Sequence, residues 1–194
     1  MPGPRIAPLP LPLAPADASR MARVVPATLQ PPQLYLTTAR SPRLWAFMVD
    51  SGMIGPTGLM DLRSLPPRLR ETVLLRTCVA NGCDYEFNLH VQTISERMGL
   101  GAAEIDDVRR PQPDPALWGP ALTAAIALVD ALVLRRTLDD AEFERARVHF
   151  DDATLIELTN LIGLYTGVAM MVALARPDFD RYRSATPALA RVAS

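Results

Sequence analysis

Asn81-Gly82 constrains this chain more than any other dipeptide, because helix-forming sequence runs up to it and resumes directly after it. PPRLRETVLLRTCVA, before it, has proline at its entry followed by strong helix formers with apolar residues at helical spacing. Glycine is the residue best suited to ending a helix, since it reaches the left-handed conformation without strain. The segment after the turn places Cys83, Glu86 and His90 at i, i+3 and i+7, which is one face of a second helix. The two pieces predict a helical hairpin bent near Asn81-Gly82. Glu71 lies ten residues before Asn81 and His90 eight after Gly82. Both therefore stand about 12–15 Å from the bend at about 1.5 Å per residue. Glu71 and Cys78, seven apart, share a face of the first helix. An acid, a thiol, a second acid and an imidazole are placed to line one seam.

Glu71, a cysteine twelve residues on at Cys83, Glu86 three further and His90 four beyond that resemble the motif of the carboxymuconolactone decarboxylase and alkylhydroperoxidase D (AhpD) superfamily. LPPRLRETVLLRTCVANGCDYEFNLHV is similar to that family's central helix pair, and LGAAEIDDVR to the short helix after it. HFDDATLIELTNLIGLYTGVAMMVALA is similar to its C-terminal helix and SPRLWAFM to an upstream one, so the resemblance covers roughly residues 34–175. It implies an all-α, AhpD-like helical bundle. In peroxide-reducing members a Cys-x-x-Cys pair precedes the histidine, and the second cysteine attacks peroxide. Here that position is Glu86, and Cys83 lacks its motif partner. The lactone decarboxylases lack the cysteine pair and carry a glutamate four residues before their histidine, a relation that Glu86 and His90 keep. The resemblance therefore implies acid–base rather than thiol chemistry.

The rest of the sequence reads as helix. Residues 34–194 are expected to form a single all-α domain, with Gln33–Asp50 interrupted at Ser41-Pro42 and a short helix over Ala102–Arg109. An Ala-rich apolar helix over residues 116–135 is expected next, and a last long helix from Asp152 to Ala175. Asp139 and Glu142 stand in capping-box positions between these two. In the family the glycine-punctuated SGMIGPTGLM segment is helical and approaches the active site. No strand alternation is evident. Residues 1–33 carry nine of the 19 prolines and are expected to be an extended or disordered arm, free or draped over a neighbouring subunit. Neither a membrane-spanning run nor a signal-peptide core is present in that arm.

Composition bounds the chemistry. An apolar share of 49% is ample for one core, and a net charge of −1 offers no electrostatic case for nucleic acid or anionic membrane. All 20 basic residues are arginine, which removes a lysine Schiff base or lysine general base from consideration. Two cysteines do not make a disulfide scaffold, and a cytoplasmic protein is expected. Glu71, Glu86 and His90 have spacing compatible with a metal, but the resemblance requires none, and no phosphate-binding or dinucleotide fingerprint is present. No cofactor is expected.

These readings converge on general acid–base catalysis at the hairpin seam. His90 moves a proton, Glu71 or Glu86 tunes it, and Cys83 completes the catalytic quartet. Tyr85, Tyr165 and Arg76 are the expected substrate contacts, the arginine as a carboxylate anchor and Arg97 as its weaker alternate. Trp45, Phe47, Met48, Met53 and Met60 are core, pocket wall or subunit interface. The expected reaction is decarboxylation, isomerisation or dehydration of an unsaturated or keto carboxylic acid. Two other readings stand beside it: a thiol-dependent peroxidase or redox sensor using Cys83, and a non-catalytic oligomeric binding protein. Partners are a small-molecule substrate and, by resemblance, further copies of the chain in a dimer, trimer or hexamer.

Overall fold

A computed structural model describes residues 3–182; the ends of the expected arm and of the expected domain (residues 1–2 and 183–194) lie outside the described residues. The described residues form an all-α bundle with a single two-residue ladder. The centre is α4, Pro67–Ala80, in which every residue from Leu69 to Cys78 is buried. A helix covered on all sides has no solvent face, and α4 packs against α7, α9 and α5 together. Its end is a Schellman motif. Asn81 caps it, Gly82 takes φ 63°, Gly82 N–H donates to Val79 O at 3.0 Å and Cys83 N–H to Cys78 O at 2.8 Å. The chain re-enters helix at once as α5, Asp84–Thr93, and the expected hairpin is present.

Around this pair stand α2 (Gln33–Thr38) and α3 (Pro42–Asp50), divided at Ser41-Pro42 as the sequence indicates. The short α6 (Ala102–Asp107) comes next in the chain. The expected helix over 116–135 is not continuous. α7 (Pro115–Asp130) kinks at Gly119, φ 69°, before Pro120, and continues as a π-helical turn over Ala131–Arg135. α8 (Asp140–Arg147) starts at the Asp139/Glu142 capping box, and α9 (Asp152–Ala175) runs to a left-handed Arg176 before Pro177. By length and composition alone, 115–135 and 152–175 would suffice to cross a membrane. Both pack on α4 here.

Two expectations fail. The arm is neither extended nor disordered throughout: α1 spans Pro15–Val24 and puts Met21 and Val24 into the main core. No proline interrupts the stretch between Pro15 and Pro26, and Pro15 itself suits a first helical position. Arg23 ties α1 to α3 through Asp50 at 2.6 Å, and Arg5 N–H donates to Ala175 O at 2.8 Å. The arm thus packs on its own chain. Nor is SGMIGPTGLM helical. It forms an antiparallel ladder of β1 (Ile54–Gly55) and β2 (Gly58–Leu59), with Gly55 opposite Gly58. Pro56 fixes the turn, and Gly58 at φ 98° supplies a backbone conformation other residues resist.

Candidate functional site

The ladder sits directly over the hairpin's polar face. A Cβ on Gly58 would lie 2.2 Å from the Tyr165 hydroxyl and 3.6 Å from His90 Nε2, so glycine is required by contact as well as by φ. Leu59 is held from both sides: its N–H donates to Tyr165 Oη at 3.1 Å and its carbonyl accepts from Arg70 Nη2 at 2.6 Å. Arg70 and Tyr165 are both buried.

Beneath Leu59, α4 and α5 bring their side chains together as the hairpin requires. Glu71 is 0% and His90 1% exposed. His90 Nδ1 donates to Glu71, 3.1 Å from Oε1 and 3.2 Å from Oε2. Ser95, just past the end of α5, donates to Glu71 Oε1 at 2.7 Å. On the far side of the ring, His90 Nε2 stands 3.5 Å from Glu86 Oε1 and 3.5 Å from Tyr165 Oη. The imidazole is therefore clasped between two carboxylates, which do not adjoin each other. Burial alone would pull the imidazole pKa down, but the Glu71 charge and hydrogen bond outweigh it, Glu86 adds to them, and the pKa rises to about 9. Burial pushes the Glu71 carboxyl up, and His90, Ser95 and Arg70 together bring it below its ordinary value. At neutral pH this is an imidazolium–carboxylate pair with hydrogens on both ring nitrogens.

Glu86 is where this chain of contacts meets open space. It lines a cavity of about 180 Å³ enclosed by α2, α3, the β1–β2 ladder and α9. The wall is largely apolar, with Leu34, Trp45, Met48, Met53, Ile54 and Val168, and its polar members are Tyr35, Thr38, Glu86 and Tyr165. Glu86 Oε1 faces His90, while its Oε2 is buried without a hydrogen-bond partner. The burial of Tyr35 and Tyr165 raises both phenol pKa values, so both keep their protons.

Of the residues expected at the site, Glu71, Glu86, His90 and Tyr165 come together. Cys83 does not join them. It caps α5 at 5% exposure within the hydrophobic core and outside the cavity wall, and burial lifts its thiol to about 11. Burial pushes the Cys78 thiol well up too, and both cysteines are free. Tyr85 is also outside the wall; its hydroxyl accepts from Leu34 N–H at 2.9 Å and donates to Asp180.

Arg76 is a tie rather than a substrate anchor. Its Nε and Nη2 each reach Asp130 at 2.7 Å, and its Nη1 donates to the carbonyls of Val108 and Arg110. Arg97, in the turn that follows α5, is exposed and donates to Thr93 O. Among the described residues, no group of three or more His, Cys, Asp and Glu side chains is arranged to hold a metal ion. Trp45, Met48 and Met53 are cavity wall, Phe47 is exposed, and Met60 packs partly buried on the core. Sequence reasoning missed Ser95, Arg70 and Tyr35. Ser95 had one faint signal, a hydroxyl one turn beyond His90; the other two had none.

The carboxymuconolactone decarboxylase family model matches residues 57–131, a span that contains Glu71, Cys83, Glu86 and His90. Over that span the chain is similar to the carboxymuconolactone decarboxylase family. Two solved structures share its fold. One is the debrominase Bmp8 in its apo form, 18% identical, covering 91% of this chain and 92% of that one at a TM-score of 0.73. The other is ATU0492 from Agrobacterium tumefaciens, a protein of unknown function suggested to be the antioxidant defence protein AhpD. It is 22% identical and covers 74% of this chain and 95% of that one at a TM-score of 0.63. At these identities the likeness speaks for the bundle. No curated protein matches the chain significantly. Within this superfamily fold, Glu86 holds the position that the resemblance gives to the peroxide-attacking cysteine.

Proposed function

We propose that this protein is an acid–base enzyme in which Glu86 moves a proton to and from a carbon of a small, largely apolar substrate. One observation carries the reading: Glu86 both lines the cavity and touches the buried His90–Glu71 pair, with Oε2 unengaged. Glu86 Oε2 is the base that removes a proton beside a carbonyl and the acid that returns it elsewhere on the same conjugated system. The His90 imidazolium, held by Glu71, stabilises the Glu86 carboxylate before the transfer and adjusts as that charge is neutralised. Tyr165, its proton retained, fixes Leu59 and the ladder that closes the site. His90, expected to act on substrate directly, is thus placed one step back.

Isomerisation and dehydration need only these proton movements. Decarboxylation further requires a substrate carboxylate beside Glu86, and no cation is part of the cavity wall. The thiol reading is less well supported, because a pKa of about 11 leaves Cys83 protonated in a packed core. The debrominase and AhpD likenesses do not alter this, since what those proteins do is not carried by the fold.

The test uses β,γ-unsaturated cyclic ketones with and without a carboxylate, followed by the ultraviolet absorbance of the conjugated product. Turnover of either compound that falls about 10²–10⁴-fold in Glu86→Gln and survives Cys83→Ser supports the proposal. Turnover that survives Glu86→Gln, or is lost in Cys83→Ser, refutes it.

A further inference from the structure

A residue of the cavity wall carries a second unengaged polar atom. Trp45 lines it, is 0% exposed, and its indole Nε1–H has no hydrogen-bond partner. Trp118, the other tryptophan, donates the same group to Asp107 Oδ2 at 2.7 Å, as a buried indole ordinarily does. An orphaned buried donor carries a desolvation cost that a bound acceptor would remove. The wall residues therefore offer an unengaged neutral donor, at Trp45, and an unengaged acceptor, at Glu86 Oε2, in otherwise mostly apolar surroundings. Thr38, on α2, already donates to Leu34 O at 2.8 Å, and the Tyr35 and Tyr165 hydroxyls are the other polar groups of the wall.

Charge decides the ligand class. No arginine or histidine is part of the wall, and the chain has no lysine. Arg70 is buried nearby with Nε and Nη1 unpartnered, but its Nη2 binds Leu59 O and it does not line the cavity. A carboxylate placed here would lose its hydration beside an acid with no direct counter-ion. A neutral carbonyl loses far less and answers the indole directly. Size agrees: an apolar cavity of about 150 Å³ holds benzene, and this one is about 180 Å³.

Resting on the acid–base reading of Glu86, we infer that the substrate is a neutral cyclic or branched carbonyl compound of about six to nine heavy atoms, its carbonyl oxygen accepting from Trp45 and its acidic C–H facing Glu86. Removal of that proton to Glu86 Oε2 sends the electron pair into the carbonyl, and the enolate oxygen is held by the indole N–H. The proton then returns from Glu86 to carbon, so the cycle balances without an oxidant or a second reactant.

Cyclohexanone, cyclohexene and cyclohexanecarboxylate are suitable probes, titrated into the full chain and followed by the two indole N–H signals in ¹H–¹⁵N spectra. Cyclohexanone is expected to move the Trp45 signal downfield to saturation while leaving Trp118 in place. It should bind roughly three- to tenfold more tightly than cyclohexene, the value of one hydrogen bond. Trp45→Phe should bring that ratio to about one. The inference is overturned if cyclohexanecarboxylate binds more tightly than cyclohexanone, which would place the anchor at Arg70. It is equally overturned if cyclohexanone leaves the Trp45 signal unmoved. Its fate separates from that of the acid–base reading. A saturable Trp45 shift with Glu86-independent turnover keeps the ligand class and removes the proton-transfer role. Glu86-dependent turnover of the carboxylated ketone alone does the reverse.

Discussion

Replacing Glu71 with glutamine should bring the His90 pKa down from about 9 toward its ordinary 6.5. The gap between those two values is worth about 3 kcal/mol of preference for the charged ring. Desolvation opposes the charge, so the carboxylates supply more than the net amount, Glu71 first and Glu86 second. Glutamine keeps the shape, can still accept from Nδ1–H and Ser95, and removes the charge. Burial then acts against Glu86 alone.

The same pair sets the pH dependence of stability. A raised folded-state pKa for His90 contributes stability that is fully present below about pH 6.5 and is lost as pH rises through about 9. Glu71, lowered from 4.5, contributes stability present above that value and lost as pH falls through its folded-state pKa. The wild type should thus be steadiest between about pH 4.5 and 6.5 as far as this pair is concerned. It should lose about 3 kcal/mol toward pH 10, a fall in urea midpoint of about 1 M or more. The chain has two histidines, and His149 is exposed. A ¹³C-labelled imidazole titration therefore shows two signals, of which that of His90 is followed. A His90 signal in Glu71→Gln titrating within half a pH unit of wild type would refute the electrostatic account of the clasp.

Four shorter predictions follow from the same geometry. Gly58→Ala, whose new methyl meets the Tyr165 hydroxyl at 2.2 Å in a backbone at φ 98°, should cost about 2–3 kcal/mol and lower the thermal midpoint accordingly. Arg76→Met should destabilise by about 3 kcal/mol in urea while leaving KM unchanged once folded, because the arginine holds Asp130 and two carbonyls rather than substrate. Cys83→Ser should retain activity within about twofold, and Cys78 and Cys83 should label with iodoacetamide only on unfolding, as mass spectrometry would show. Deleting residues 1–24 should lower stability, by removing the buried Met21 and Val24, rather than leave it unchanged as a free arm would.

Why the sequence discloses some of this and hides the rest is a matter of range. The α4–α5 hairpin and the Glu71–His90 meeting are local consequences of one left-handed glycine and of i, i+3, i+7 spacing, so they are legible. The capping box at Asp139 and the end of α9 before Pro177 are legible for the same reason. Arg70 and Arg76 are not distinguishable in advance. α4 is buried on every side, and with no polar face to orient it, spacing cannot say that Arg76 turns to Asp130 while Arg70 turns to Leu59. The proline count of the first 33 residues hides a proline-free stretch long enough for α1. The resemblance to a helical segment hides the ladder that Gly55, Pro56 and Gly58 dictate locally. Cys83 falls on the expected helical face but caps α5 from just before its first residue, where the core rather than the cavity surrounds it.

Central to this account is a proton carried between carbon atoms by Glu86. Conversion of cyclohex-3-enone to cyclohex-2-enone in D₂O, read by mass spectrometry and ²H NMR under single-turnover conditions, tests it most directly. Predicted is protium, carried over from the α carbon, at the γ carbon of the product, formed at a rate that falls about 10²–10⁴-fold in Glu86→Gln and stays within about twofold in Cys83→Ser. Formation at the uncatalysed rate in the wild type, or at an undiminished rate in Glu86→Gln, would contradict it.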